Sequence, residues 1–322
     1  MRSLVNLVHG SSVRVRVPAS SANIGPGFDS IGLALGIWDE CVVTVSAEPG
    51  LRIDVGGEGA GEVPHGELNL IYRSMVQAWK RLNVQTPEGL HLSSRNAVPQ
   101  CRGLGSSATS IVAGVVAAQG LCDIATGSDS AAEHHGGFDH RFTNDLAAAL
   151  EGHPDNSSAS VFGGMTLSWT DDVEPGQVHT VPLEVNPDVI PLVFVPAAKL
   201  STASARAVLP AQVPHASAAS NAGRAALLVE AITRRPEVLL AATRDWLHQE
   251  QRRPAFPDSM SLLDLLRAGG HAAVISGAGP SVLVLSTPAQ LEDARAQGDQ
   301  SVWRVLEPGV AVAGASLERT PA

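Results

Sequence analysis

The stretch Pro99-Gln-Cys-Arg-Gly103-Leu-Gly105-Ser106-Ser107-Ala108 is the part of the sequence from which the fold can be deduced. It places a glycine-rich turn directly before an Ala-rich apolar run, 106–121, that is typical of a long buried helix. The free N–H groups at a helix start and the positive end of its dipole attract anions. Glycines let the main chain approach phosphate oxygens closely, and serines add hydroxyl ligands. The stretch therefore predicts a phosphate-binding turn, since an ordinary capped helix needs only one serine.

Two commoner phosphate-binding loops do not fit this sequence. A Walker A loop needs a lysine after its last glycine, and the only lysines, Lys80 and Lys199, lie in no such pattern. The spacing Gly103-x-Gly105-x-x-Ala108 does match the loose dinucleotide fingerprint. That fingerprint follows an apolar strand, however, and 99–102 is polar. Neither a P-loop nor a dinucleotide-binding domain is favoured.

Composition limits the class of protein. With 322 residues, 44% hydrophobic and 17% charged, the chain is long and apolar enough for two compact domains. The net charge of −10 and the lack of a basic cluster argue against a nucleic-acid partner. Cys41, Cys101 and Cys122 form no paired spacing, so a reducing, cytoplasmic location without disulfides is expected. No window reaches roughly 18 uninterrupted apolar residues, so neither export nor a membrane partner is expected.

Hydrophobic periodicity predicts an α+β chain with strands before helices. The first half has predicted strands at 13–17, 41–45 and 51–55 and predicted helices at 69–82 and 106–121. A second half begins near 170–177, with predicted strands at 189–195 and 282–285 and helices near 217–233 and 259–267. The polar segment 125–140 is predicted to be a surface loop or a short irregular helix. Its His134, His135 and His140 are interpreted as a solvated cluster rather than a metal site.

Three segments in a fixed order, Pro18–Asp29, Gly103–Ser107 and Ser276–Ser281, carry a resemblance to the GHMP kinases. This group includes galactokinase, homoserine kinase, mevalonate kinase and phosphomevalonate kinase, and the resemblance covers most of the chain. Within the group, Asn23-Ile-Gly-Pro-Gly-Phe-Asp29 and Glu151-Gly-His-Pro-Asp-Asn156 are similar to the homoserine kinase forms of these motifs.

The resemblance implies an architecture and an activity. The expected N-terminal ATP-binding domain, 1–170, is similar to the second domain of ribosomal protein S5, and the expected C-terminal domain, 171–322, is ferredoxin-like. ATP and substrate would meet between them. The implied reaction is phosphorylation of the hydroxyl of L-homoserine to O-phospho-L-homoserine in threonine biosynthesis. Another small-molecule GHMP kinase of the mevalonate-pathway type, or a catalytically silent regulatory protein on this fold, remains an alternative. A homodimer is a hypothesis taken from the family.

The resemblance also implies residues for ATP and Mg²⁺. Asn69 would lie near the nucleoside, and the phosphates would contact the turn and the last motif, at Gly103, Leu104, Gly105, Ser106, Ser107, Gly277 and Gly279. Mg²⁺ prefers hard oxygen ligands, for which Ser107 and Glu151 are the candidates. Asp145 is an alternative acid, and a solvated helix face is the simpler explanation of either carboxylate.

Homoserine carries a carboxylate, an ammonium group and a hydroxyl, and a selective site must pair both charges. By resemblance, Arg206 and Arg252 bind the carboxylate, with the adjacent Arg253 as the alternative to Arg252. Asp29 would bind the ammonium group, and the amine and hydroxyl would be oriented by Asn23, His153 and Asn156.

The catalytic residues are predicted to be Asn23, Asn156 and Arg206. Mevalonate and galactose kinases have an aspartate where this sequence has Asn156, so a direct in-line attack without a carboxylate base is expected. Asp155 is the reserve candidate for a base, although stabilising the turn is the simpler role.

Overall fold

The structure, a computed structural model, describes residues 4–128, 135–171, 176–200 and 202–322. Its strands form one sheet of seven strands and one of four. The strands are β1 (Ser12–Ala22), β2 (Ile31–Val45), β3 (Gly50–Gly57), β4 (Gly89–Asn96), β5 (Met165–Thr170), β6 (Val178–Leu183), β7 (Ile190–Pro196), β8 (Ala272–Ile275), β9 (Val282–Ser286), β10 (Trp303–Leu306) and β11 (Ser316–Thr320). The α-helices are α1 (Leu70–Leu82), α2 (Ser106–Thr126), α3 (His140–Glu151), α4 (Asp155–Phe162), α5 (Thr202–Ala207), α6 (His215–Thr233), α7 (Leu239–Ala242), α8 (Pro257–Ala268) and α9 (Leu291–Gln297). The predicted α+β class is confirmed.

The seven-stranded sheet positions the N-terminal motifs. Its main path runs β11-β1-β2-β4-β3, and β5 pairs with both β2 and β6. The pairing of β3 with β4 is parallel and the other pairings are antiparallel. In β1, Val13, Val15 and Val17 are buried while Arg14 and Arg16 are exposed, as alternation along a strand requires. One face of this sheet packs against α2, the helix that follows the glycine turn.

Helix α2 is the central helix of the first domain. Its apolar residues are buried on nearly all sides against α1, α3, α4 and β1. Among the described residues it is the one helix with the length and apolarity of a membrane span. Most of it lies inside the protein, so the domain core accounts for its apolarity.

The four-stranded sheet follows the order β10-β7-β9-β8, with every pairing antiparallel. Helix α6 lies between β7 and β8 in the chain, and α9 lies between β9 and β10. This βαββαβ order is that of a ferredoxin-like domain, so the prediction for the C-terminal domain is confirmed. Along β7, Val193 belongs to the same hydrophobic cluster as Leu228 of α6, whereas Phe194 belongs to a second cluster with Met260 of α8.

The seven-stranded sheet contains strands from both sides of the predicted boundary. Strand β6 pairs with β5, and β11 pairs with β1, with Val13 opposite Arg319. The chain therefore crosses between the sheets after β6 and again after β10. The division into 1–170 and 171–322 stays a prediction, and these pairings place two strands from beyond residue 170 in the first sheet.

The histidine-rich segment forms no metal cluster in the part of the chain that the structure describes. His134 lies outside the described residues. His135 begins a short 3₁₀ turn, and His140 begins α3. The ring of His140 stacks on Phe138 and Phe162, with centroids 4.4 Å and 5.5 Å away.

Candidate active site

The glycine turn before α2 can be built only with glycines at two positions. Gly103 and Gly105 have φ values of 72° and 71°, in the left-handed region that other residues avoid. A Cβ on Gly105 would lie 2.1 Å from Oγ of Ser20, and one on Gly103 would lie 2.2 Å from the carbonyl oxygen of Ser276. The turn is thus clamped between the first and third motifs, and the N–H groups at the start of α2 remain at its tip.

Hydrogen bonds join the first motif to the third. Nδ2 of Asn23 donates to the carbonyl oxygen of Gly277 at 2.9 Å, and the N–H of Asp29 donates to Oδ1 of Asn23 at 3.0 Å. Asn23 is buried and has a φ of 67°. Oγ of Ser276 donates to the carbonyl oxygen of Gly103 at 2.6 Å. The three segments that the sequence singled out therefore form one wall.

A cavity of about 170 Å³ lies against this wall, between the two sheets. Most of the predicted site residues line it: Asn23, Gly103, Gly105, Ser106, Ser107, Glu151, His153, Asn156, Arg206, Arg252 and Gly277. Asp29 reaches the same place through its contact with Arg206. The sequence therefore identified a set of residues that the fold brings together.

Three predicted ATP contacts, Asn69, Leu104 and Gly279, do not line this cavity. Asn69 is buried as the N-cap of α1: its Oδ1 accepts from the N–H groups of Ile71 and Tyr72, and its Nδ2 donates to the main chain. The side chain of Leu104 is buried in the core, and a Cβ on Gly279 would meet the ring of Phe256. Oδ1 of Asn69 is engaged in capping and the residue is buried, so its nucleoside contact stays a prediction that this geometry does not favour.

Ser107 and Glu151, the predicted Mg²⁺ ligands, are neighbours. Oγ of Ser107 donates to Oε1 of Glu151 at 2.5 Å. Burial raises the pKa of Glu151, against the lowering effects of the Ser107 hydrogen bond and of His153. Asp145, the alternative acid, instead accepts a hydrogen bond from the N–H of Val178 at the start of β6. The geometry therefore favours Glu151.

Ser107 and Glu151 could hold Mg²⁺ only if a bound nucleotide supplied further ligands. One hydroxyl and one carboxylate oxygen are of the type that Mg²⁺ prefers, but the ion takes six ligands in octahedral geometry. No group of three or more His, Cys, Asp or Glu side chains is found among the described residues that could hold a metal. Phosphate oxygens and water would have to complete the shell, which is the usual arrangement in kinases.

Arg206 and Asp29 form a two-point ion pair at the cavity. Nη1 and Nη2 of Arg206 lie 3.1 Å and 2.5 Å from the two carboxylate oxygens of Asp29. Both side chains are 35% exposed. The Asp29 hydrogen bond raises the pKa of Arg206 further above its ordinary value. A positive and a negative group, both reachable from solvent, thus stand side by side.

Arg252 adds a second guanidinium, and the ring of Phe28 lies close to both. The Cζ atoms of Arg206 and Arg252 lie 5.5 Å and 5.6 Å from the centre of the Phe28 ring. Burial, followed by the charge of Arg206, lowers the pKa of Arg252 to about 10. Arg253 instead pairs with Glu250 and Asp264 on the exposed side. Of the two adjacent arginines, Arg252 is the one that faces the cavity.

The HPDN turn supplies a buried acid and a histidine. Oδ1 of Asp155 lies 2.6 Å from Nδ1 of His153 and accepts from the N–H of Asn156 at 2.7 Å. Burial lowers the pKa of His153, but the hydrogen bond and charge of Asp155, with that of Glu151, outweigh it and raise the pKa. Oδ1 of Asn156 accepts from Oγ of Ser20. Asp155 is thus used in holding the turn and the histidine.

Sequence comparison identifies the family. The chain matches the GHMP kinases N terminal domain over residues 69–164 and the GHMP kinases C terminal domain over 224–304. It is 48% identical over 308 residues to the homoserine kinase of Streptomyces avermitilis, covering 95% of this chain and 96% of that protein. The homoserine kinase of Clavibacter michiganensis subsp. michiganensis is 45% identical over 316 residues, covering 97% and 96%. The chain belongs to the GHMP kinases.

Solved structures agree with this assignment of the GHMP kinase fold. A homoserine kinase from Cytophaga hutchinsonii aligns with a TM-score of 0.79 at 23% identity, covering 95% of this chain and 97% of that one. A putative homoserine kinase from Listeria monocytogenes aligns with a TM-score of 0.72 at 27% identity, covering 96% and 99%. The predicted two-domain GHMP kinase architecture is confirmed.

Several residues of this GHMP kinase site were not predicted from the sequence. Phe28 and Ser20 lie inside a motif that was recognised. Only the fold shows that Phe28 lies near both arginines and that Ser20 donates a hydrogen bond to Asn156. His248 contacts Arg252. The only signal for it in the sequence is that it lies four residues before Arg252. That spacing is common on helices and carries little information by itself.

Proposed function

We propose that this GHMP kinase transfers the γ-phosphoryl group of ATP to the hydroxyl of L-homoserine, producing O-phospho-L-homoserine for threonine biosynthesis. Homoserine kinases at 43–50% identity over most of the chain support the substrate. The observation that carries the proposal is the pairing of Asp29 with Arg206 at the cavity that Arg252 and the start of α2 also line.

That pairing is complementary to an amino acid. The substrate carries a carboxylate and an ammonium group on one carbon, so a neighbouring guanidinium and carboxylate match it charge for charge. The carboxylate would bind Arg206 and Arg252, and the ammonium group would bind Asp29. Because both members of the pair are 35% exposed, the substrate can reach them without first uncovering a buried charge. A mevalonate-type acceptor has no ammonium group and would leave Asp29 without a substrate contact.

The phosphates of ATP would bind at the glycine turn and the start of α2. N–H groups at the start of α2 and the hydroxyls of Ser106 and Ser107 would hold the phosphates. Ser107 and Glu151 would hold Mg²⁺, which neutralises charge that develops on the transferred phosphoryl group. Removal of the Ser107–Glu151 hydrogen bond is then part of nucleotide binding.

The acceptor hydroxyl would be oriented by Asn156 and His153. Asp155 holds Nδ1 of His153, and its own oxygen also accepts from the main chain, so it is poorly placed to act as a free base. In-line attack without a dedicated carboxylate base fits this arrangement, because phosphoryl transfer depends mainly on positioning and charge neutralisation. A cytoplasmic location and a homodimer belong to the same proposal; the location is supported by the cysteine spacing, and the homodimer rests on the family alone.

The test is ADP release by the purified protein with Mg-ATP and a panel of acceptors: L-homoserine, mevalonate, galactose and none. Turnover confined to homoserine is the expected result. Turnover with mevalonate instead would keep the fold and reject the substrate. No turnover with any acceptor would favour a regulatory role on the GHMP fold.

A further inference from the structure

His248 is a buried histidine directly behind the cavity wall, and no step of the proposed mechanism uses it. Its side chain is 0% exposed. Nη1 of Arg252 lies 3.2 Å from Nδ1 of His248, and Nε2 of His248 lies 2.8 Å from the carbonyl oxygen of Gly25. The ring also lies 5.2 Å from that of Phe28. A titratable side chain is thus fixed between the first motif and a predicted substrate ligand.

The two hydrogen bonds determine the tautomer of this ring. The carbonyl oxygen of Gly25 can only accept, so Nε2 of His248 carries the proton and donates. The guanidinium of Arg252 can only donate, so Nδ1 presents its lone pair. Burial is the largest influence on the pKa of His248 and lowers it, against the opposing charge of Asp245. The neutral ring that the geometry requires is therefore also the favoured one.

This contact contributes to fixing the orientation of the Arg252 guanidinium. Nε donates to the carbonyl oxygen of Ala205 at 3.0 Å, and Nη1 donates to His248 and, at 3.4 Å, to the carbonyl oxygen of Gly277. Within the described ranges, Nη2 makes no hydrogen bond. Two of the three nitrogens are thus anchored to the protein, and the third is left for a ligand in the cavity that Arg252 lines.

We propose that His248 is a positioning residue that orients Arg252 for the carboxylate of the substrate. It does not touch the substrate. As a neutral acceptor, His248 holds one nitrogen of the Arg252 guanidinium. The guanidinium is therefore already oriented when the carboxylate binds. The inference rests on the proposed function, because that function assigns the carboxylate to Arg252.

A pair of substitutions separates the two contacts of the ring. The amide of asparagine overlaps the Nδ1 side of an imidazole, and the amide of glutamine overlaps its Nε2 side. His248→Asn can therefore keep an acceptor for Arg252, whereas His248→Gln keeps a donor for Gly25 and loses that acceptor. Both variants, Arg252→Gln and the double variant His248→Gln/Arg252→Gln would be assayed with wild type for kcat and for KM of homoserine and of ATP, after circular dichroism confirms folding.

His248→Gln is expected to raise the KM for homoserine by about tenfold, the lower range for a hydrogen bond to a charged group. Its kcat and KM for ATP should change by less than about threefold. His248→Asn should restore most of the loss, and His248→Gln should have no further effect once Arg252 is glutamine.

Two results would overturn the inference in favour of a general structural role. One is that His248→Gln raises the KM for homoserine equally with Arg252 and with glutamine at position 252. The other is a KM for ATP that rises as much as the KM for homoserine. If His248→Gln does not fold, a near-normal KM in His248→Asn supports the inference and a raised one contradicts it. An unchanged KM for homoserine in Arg252→Gln removes the role of Arg252 and that of His248 with it. A wild-type enzyme that does not use homoserine rejects the proposed function itself.

Discussion

Arg206→Gln tests the substrate side of the site most directly. The wild-type guanidinium offers two hydrogen bonds to a carboxylate, as its contacts with Asp29 show. A hydrogen bond to a charged group contributes about 1.5–3 kcal/mol. Losing about 3 kcal/mol of substrate binding corresponds to roughly a hundredfold fall in kcat/KM for homoserine. Stability should hardly change, because an ion pair with 35% exposure on each side contributes at most about 1 kcal/mol.

The assay is ADP release at varied homoserine and saturating Mg-ATP, together with a thermal melt of the same preparation. Arg253→Gln is the matched control, because it removes a two-point ion pair with Glu250 on the exposed side of the neighbouring segment. It should leave kcat/KM unchanged. An Arg206→Gln enzyme with normal kcat/KM for homoserine, or one no weaker than Arg253→Gln, would refute the role assigned to Arg206.

Three further predictions concern the nucleotide end and the HPDN turn. Gly105→Ala combines left-handed strain of about 1–2 kcal/mol with the clash described above, so it should lower the free energy of unfolding in urea and raise the KM for ATP. Gly127→Ala, with φ of 67° and open space, should show the strain alone and a normal KM for ATP. Glu151→Gln should raise the Mg²⁺ concentration for half-maximal rate by about tenfold, whereas Asp145→Asn should not, and the reverse order would reassign the metal ligand. The raised pKa of His153 means that its imidazolium stabilises the fold below the ordinary value of 6.5 and loses this effect as pH rises through the folded-state pKa. His153→Gln should therefore cost more unfolding free energy in mildly acidic than in alkaline urea titrations, and a pH-independent difference would contradict this.

The sequence predicted elements whose signals are local. The apolar spacing of 69–82 and 106–121 gave α1 and α2 within a few residues at each end. Helix α4 was missed because Asp155–Phe162 is rich in serine, a residue that usually indicates turns. Its serines are buried through long-range hydrogen bonds, such as that from Ser158 to Asn144, which no local pattern reveals.

The parts of the candidate site that could be predicted from the sequence are those that lie in contiguous motifs. The GxGSS turn and the HPDN turn each contain several residues that line the cavity, so recognising each stretch located them together. The choice between Arg252 and Arg253 could not be made from sequence, because adjacent residues of one type differ only in which way the chain turns. Asn69 had a second sequence signal, because it lies directly before a helix, and the structure uses it as an N-cap; its nucleoside contact stays a prediction.

The pairing of β11 with β1 affects how the first domain can form. Val13 of β1 pairs with Arg319 of β11, near the C-terminal end of the chain. The sheet that supports the glycine turn is therefore complete only after the second domain has been synthesised. A fragment ending near residue 170 would lack both β6 and β11 and would expose the hydrogen-bonding edges of β1 and β5. Such unpaired edges promote aggregation. The sheet of the ATP-binding half is thus completed only by strands from the second half of the chain.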